Sequence, residues 1–494
     1  MTENTTQRFI RRPSARCIRR RGRAALAVTT VTAALSSALT GCGMFDSESV
    51  VVNVGYQSKT LNTVNAGTLM RDRGAFEAAL DQAGEKSGKK YRVVWQDFSS
   101  GAPLTAAMIA SHVDIGSMGD YPLLTNGSKT KKYDDAQTDF IATTGYNLRG
   151  SLNQVVVPTG STATSLGDLR GKDVSTSLGS AGDGMLSTAL ERAGIAKDAV
   201  HIANQDPSIG AAAVEGKQVD AFAQFVPWPQ LVIFRNQGRL VYDGGDNDVP
   251  TFHGVVARHQ FADRNPEVMT AFMQALRGTT DYITAHPMQA ALRVSEITGI
   301  EPEVVYLYNG PNGLVSFDPT IKKQFGPALE KVKAYLVKRG SVSGDFDIAT
   351  FTDSHYLEAL YGSQYASKTA DVGNPSQLSG TDDVCGLPVA DPATASEVWF
   401  ADQQATSVAA TPSCALRRIA DTGTRVRAAY VPDAVTATKL FAAQATWLVD
   451  PSAPPSRRYL PFATTGGAAM YQQSHPGLMV VSYETALTQA GSTT

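Results

Sequence analysis

Two hydrophobic periods divide most of the chain. Residues 50–56 (VVVNVGY) form an apolar run of strand length, and residues 91–95 alternate with period two. Further strands are predicted at 113–116, 154–157, 173–176, 219–223 and 254–257. Helical spacing is predicted at 75–83, 104–110, 185–193 and 209–215. From Pro266 to about Gly362 the spacing is mainly helical, with Val268, Phe272 and Leu276 on one face. Strands alternating with helices predict α/β architecture with parallel sheets. Residues 373–380 (GNPSQLSG) read as a linker. The remainder, at about 114 residues, is large enough to form a second unit, with a strand expected at 480–483.

The first 41 residues do not belong to this pattern. They hold eight Arg and one acid, Glu3, and residues 24–41 carry no charge. A basic region, an apolar stretch and small residues at its end make an export signal. The apolar span is near the lower limit for crossing a bilayer and is diluted by Ser and Thr. Without this leader the net charge falls from −2 to −9. The overall balance argues against a nucleic-acid partner. With 43% hydrophobic and 18% charged residues, the composition is that of a globular protein.

Leu39-Thr40-Gly41-Cys42 resembles the bacterial lipoprotein cleavage box. That resemblance implies a lipid on Cys42, a tether over 42–49 and attachment to the outer face of a membrane. Cys17 leaves with the leader. Cys385 and Cys414 remain, and in an oxidising space two thiols most simply pair.

Catalytic signatures are missing from the sequence. It has no nucleophile elbow, no paired-His metal motif, no phosphate-binding loop and no dinucleotide fingerprint. His253 and His259 are six apart, wrong for one helix face, and read as structural or surface residues. Residues 244–248 (GGDND) lack the acid spacing of a calcium loop and read as a turn.

Three small, polar, Gly-rich strand-to-helix turns stand out. They are residues 99–103 (SSGAP), 117–122 (SMGDYP) and 179–184 (GSAGDG). Ser100 is a candidate N-cap, and Pro103 suits a first helical turn. Helix starts present unpaired N–H groups and a partial positive charge, so three aimed at one crevice would hold a small anion without Lys or Arg. Each turn taken singly is also ordinary capping. Asp120 and Asp183 would cap a helix or hold an ammonium. Tyr56, Tyr146, Trp228 and Phe252 are candidates for a pocket wall or for a core.

Residues 50–362 resemble the solute-binding proteins of ABC importers for sulfonates, taurine, nitrate and thiamine-precursor pyrimidines. The resemblance is carried by residues 54–57 (VGYQ), 100–104 (SGAPL), 113–122 (VDIGSMGDYP), 166–174 (LGDLRGKDV), Gly179-Ser180, 219–222 (VDAF) and Pro227. It implies a two-lobed periplasmic-binding-protein-like fold of type II. Lobe 1 would be 50–146 with 252–362 and lobe 2 147–251, with hinges near 146–150 and 243–251. A linker over 363–380 and a small α+β accessory domain over 381–494 would follow. Contacts carried over by the resemblance fall on Gln57, Ser100, Gly101, Met118, Gly119, Asp120, Tyr146, Ser180, Gly182, Asp183, Pro227 and Trp228. His112 stands where these proteins usually have Gly, and Phe225-Val226 where many have Trp and Asp. The implied role is capture of a small organic anion or zwitterion, an aliphatic sulfonate or taurine first, with nitrate or a pyrimidine precursor as alternatives. Permease and ATPase subunits would be the partners, with no cofactor and no reaction catalysed. Related two-lobed proteins include a thiamine-pyrimidine synthase, which needs a cysteine cluster that this chain lacks.

The C-terminal unit is similar to copper-binding lipoproteins of nitrous-oxide reductase assembly, through Cys385-Gly386-Leu387, residues 442–449 (AAQATWLV), Met470 and Met479. Soft ligands suit Cu(I). Leu387 replaces that family's Met, and a Cys385–Cys414 disulfide is the competing expectation.

Overall fold

A computed structural model describes residues 49–492. The leader, the cleavage box with Cys42, and most of the proposed tether lie outside the described residues. Among those described, no helix is long and apolar enough to cross a membrane.

Two sheets organise residues 50–317. The first is built from β1 (Val50–Tyr56), β2 (Tyr91–Asp97), β3 (Ile115–Gly119) and β4 (Thr138–Asn147). The second holds β5 (Asn153–Pro158), β6 (Asp173–Thr176), β7 (His201–Asn204), β8 (Ala221–Phe225) and β9 (Gly238–Asp243). β10 (Thr251–Arg258) and β11 (Ser316–Phe317) return to the first sheet. The strand orders are β11-β4-β10-β3-β1-β2 and β7-β6-β8-β5-β9.

The sheets are mixed, which corrects the expectation of parallel sheets. β1 pairs parallel with β2 and β3, and β6 with β7 and β8. β10 runs antiparallel to both β3 and β4, and β5 antiparallel to β8 and β9. The chain crosses between the sheets twice. A strand that returns from the other lobe enters at the cleft end, so it runs against its neighbours. Gly150 sits at the first crossing with φ +108°, where a Cβ would fall 2.8 Å from the Val249 carbonyl of the second crossing. Only glycine suits both that conformation and that close approach. Asn147 Oδ1 gathers the amides of Arg149, Gly150 and Ser151 at 2.9–3.1 Å and fixes the turn.

Three helices follow the C-terminal ends of parallel strands: Gly101–Ile109 after β2, Asp120–Thr130 after β3 and Ala181–Arg192 after β6. In open α/β sheets this end of the strands faces the ligand crevice. β3 begins two residues later than the sequence suggests and continues to Gly119, so Ser117 and Met118 belong to the strand rather than to a turn. Each lobe has its own apolar core, with Val52, Ile115 and Phe272 in the first and Val155, Val174 and Leu186 in the second.

The C-terminal residues form β12 (Gly380–Asp382), β13 (Leu387–Val389), β14 (Ser396–Phe400), β15 (Ser407–Ala409), β16 (Val426–Pro432), β17 (Lys439–Phe441), β18 (Thr446–Val449), β19 (Tyr459–Phe462) and β20 (Met479–Val481), with three helices. Their antiparallel sheets, β15-β14-β16-β17 and β19-β18-β20, make an α+β unit. Helix Tyr365–Ala370 occupies part of the stretch expected to be linker. Trp399, Tyr430 and Phe441 share one apolar cluster with Tyr306 and Tyr308 of helix Pro302–Asn309, so this unit does not keep a wholly separate core. Cys385 and Cys414 are joined in a disulfide, with Cα atoms 6.0 Å apart. Both sulfurs are thereby withdrawn from the group they form with Asp382, whose carboxylate already accepts from the Val384, Cys385 and Ala410 amides.

Candidate functional site

The strand ends and helix starts of the two lobes enclose a cavity of about 210 Å³. Lobe 1 supplies Gln57, Ser100, Gly101, Ala102, Thr105, Gly119 and His253. Lobe 2 supplies Ser177, Leu178, Gly179, Ser180, Ala181 and Phe225. Gln57 closes one side, its Nε2 donating to the Ser117 carbonyl at 3.1 Å. Its Oε1 is the remaining polar atom of the amide.

Helix Gly101–Ile109 begins at an extended Ser100 whose hydroxyl makes no cap bond. Pro103 has no N–H, so the free first-turn donors here include those of Gly101 and Ala102. A Cβ on Gly101 would lie 2.3 Å from Pro122 Cβ, so glycine lets this helix start press against the next one. Helix Ala181–Arg192 is capped by Ser180 Oγ, which accepts from the Asp183 amide at 3.3 Å. That leaves the Ala181 and Gly182 amides without helical partners. A Cβ on Gly182 would fall 2.8 Å from Gln224 Cα, so this residue seats the helix on β8. Among the described residues, Lys129, exposed at the rim, is the one Lys or Arg on the cavity wall.

Of the expected contacts, Gln57, Ser100, Gly101, Gly119 and Ser180 line this cavity, and the others sit elsewhere. Met118 is buried with Leu104 and Met108. Tyr146 is enclosed, its ring 5.4 Å from that of Phe325. Trp228 stands in a neighbouring crevice of about 260 Å³ that shares Gln57. Pro227 lines a surface hollow with Trp228 and Arg235.

The two carboxylates are already engaged. Asp183 is fully buried and accepts from Lys197 Nζ (3.2 Å), the Gly179 amide (3.0 Å) and Arg339 Nη1 (3.4 Å). Arg339 comes from lobe 1, so the pair crosses between lobes. Asp120 accepts from Thr251 Oγ1 and the Tyr121 amide, each at 2.9 Å, and faces a second cavity of about 400 Å³. Burial pushes Asp120 up to about 7, with its hydrogen bonds opposing. Beside these groups Tyr121 lies over Gly184, where a Cβ would meet the ring at 2.0 Å, so the lobes touch directly.

His253 is the functional candidate that sequence reading set aside. It lies on β10, is 5% exposed, and lines the cavity. Its register partner is Gly119, and its Nδ1 lies 2.7 Å from Asn62 Nδ2, 191 residues away in sequence. Burial alone holds the ring well below its usual range, at about 3, so it is neutral at physiological pH.

Residues 136–290 match the family described as NMT1/THI5 like. A Bacillus subtilis protein named for aliphatic-sulfonate binding is 23% identical over 283 residues, which is 57% of this chain and 77% of that protein. The taurine-binding periplasmic protein of Escherichia coli is 25% identical over 237 residues, 47% of this chain and 70% of that protein. The solved alkanesulfonate-binding protein SsuA from Xanthomonas axonopodis pv. citri, bound to MOPS, superposes with a TM-score of 0.52 at 18% identity. That superposition covers 62% of this chain and 99% of SsuA. Residues 136–290 are thus similar to the NMT1/THI5-like family, and the two-lobed part shares its fold with this alkanesulfonate-binding protein.

Proposed function

We propose that the chain captures a small organic anion in the cleft between its lobes and hands it on unaltered to the permease and ATPase of an ABC importer. An aliphatic sulfonate such as taurine is the first choice. The observation that carries this reading is the convergence of two helix starts with free amides on one cavity of about 210 Å³ whose wall has no buried Lys or Arg. Oriented amides balance a compact anion without the desolvation cost of burying a side-chain cation. The names of the sulfonate- and taurine-binding relatives support the same solute class. Export by the leader and a lipid on Cys42 would hold the protein on the outer face of the cell membrane.

Calorimetric titration tests the reading, with taurine, alkanesulfonates, nitrate and pyrimidine precursors as probes. A sulfonate binding one to one supports it. Nitrate or a pyrimidine binding in preference moves the solute class, and no binding of any of the four overturns the function.

A further inference from the structure

We infer that His253 is the solute-orienting residue of the cleft: its Nε2–H donates a hydrogen bond to the anion, and Asn62 and Gly119 hold it in that role. This rests on the anion reading above and names a determinant within the same site.

The tautomer follows from the partners. Asn62 Nδ2 faces both the Gly145 carbonyl (3.4 Å) and His253 Nδ1 (2.7 Å). In this orientation the amide nitrogen stands at this end and donates to the carbonyl, while Asn62 Oδ1 is buried without a hydrogen-bond partner. A side-chain NH₂ has no acceptor capacity, so Nδ1 must accept and the ring proton sits on Nε2. The Cε1–Nε2 edge lies over Gly119, where a Cβ would approach these atoms at 3.1 and 3.3 Å. Both His253 and Gly119 line the cavity. A neutral N–H on a buried ring that lines the cavity is a preorganised donor.

Among the described residues, the groups that bond to the ring or pack on it are uncharged. The turn at residues 61–66 brings Asn62, β4 brings Thr144 to the His253 carbonyl, β3 brings Gly119, and Asp120 turns to Thr251 and the Tyr121 amide. Desolvation is accordingly the one cause acting on the imidazole. The donor is therefore neutral. A site of amides and one neutral imidazole favours a fully ionised monoanion, such as a sulfonate, over a dianion, whose second charge it leaves unbalanced.

The test pairs ring spectroscopy with titration. In the full soluble chain, ¹⁵N NMR of His253 is expected to show the Nε2–H tautomer, and taurine or methanesulfonate is expected to shift that proton. His253→Leu is expected to weaken both anions by about 10- to 100-fold, with His253→Gln recovering part of the loss. Asn62→Asp keeps the imidazole but offers Nδ1 an acceptor. Its anion affinity is expected to fall near neutral pH and recover on acidification, as the imidazolium regains a proton on Nε2. An Nδ1–H tautomer in the wild type overturns the assignment. So does unchanged affinity in a folded His253→Leu. Failure of the wild type to bind any anion overturns the proposed function, and the role of His253 with it.

Discussion

Two joints hold this molecule together, and they are built in opposite ways. The cleft between the lobes is hollow and lined by amides, hydroxyls and an uncharged imidazole, with the charge of Lys129 confined to its rim. The joint between lobe 1 and the C-terminal unit is packed and charged. There Glu397, fully buried, accepts from Lys439 Nζ at 2.5 Å, Thr406 at 2.6 Å and Tyr306 at 2.7 Å. Lys439 also donates to the Pro311 carbonyl, and Arg427 pairs with Glu303. Tyr306, Trp399, Tyr430 and Phe441 close around this network. A buried ion pair with both carboxylate oxygens hydrogen-bonded is costly to separate, whereas free amides around a cavity await a partner. The joint to the C-terminal unit is built to stay shut, the cleft to be filled and emptied.

Breaking the permanent joint is expected to have the largest effect. Lys439→Met leaves Glu397 without its cation and is expected to cost about 3–5 kcal/mol in denaturant unfolding. The double variant Glu397→Gln/Lys439→Met should recover most of that loss. Solute affinity of the folded protein should barely change in either, because neither residue lines the cleft.

The cleft should respond in the reverse sense. Gly184→Ala drives a methyl into Tyr121 of the other lobe and is expected to prevent full closure. Overpacking of about 1–3 kcal/mol then appears mainly in binding, as an affinity loss of about tenfold or more by calorimetry.

The two joints could be located only partly from sequence. Val50–Tyr56, Asp173–Thr176 and the helix start at Ala75 stood out because their runs and periods are local. β4 did not: its sequence TDFIATTGYN mixes threonine with apolar residues, yet nine of its ten positions are buried because both faces are covered. The Gly-rich turns were legible as helix starts, and residues of all three line the cavity. Asp183 was not legible as a saturated ion pair, since Arg339 reaches it from the other lobe. His253 escaped for the same reason: its meaning depends on Asn62 and Gly119, which lie far away in the chain. The Glu397–Lys439–Tyr306 joint likewise brings together residues from two units.

Acid sensitivity sharpens the contrast at the cleft, with smaller effects. His253 is held at about 3 when folded and returns to about 6.5 when unfolded. The unfolded chain therefore gains the proton first, and this stability contribution is full above about pH 6.5 and shrinks as pH falls below it. Asp120, raised to about 7, acts oppositely: its folded form holds a proton that the unfolded chain loses near 4, so stability is lost as pH rises through this window. The two partly cancel in the wild type. Asp120→Asn should uncover the histidine, with a loss of about 2 kcal/mol between pH 6.5 and 5 in urea titrations.

The smallest effect is expected at the rim. Lys129→Ala removes an exposed charge and should weaken binding by less than about fivefold, with the difference vanishing at high salt.

The most direct test of the central claim is a crystal structure of the protein with taurine or methanesulfonate bound. The account predicts the sulfonate in the 210 Å³ cavity, its oxygens within hydrogen-bond reach of the Gly101 or Ala102 amide, the Ala181 amide and His253 Nε2. A sulfonate seated instead in the 400 Å³ cavity beside Asp120, or held by Lys and Arg side chains on the surface, would contradict it.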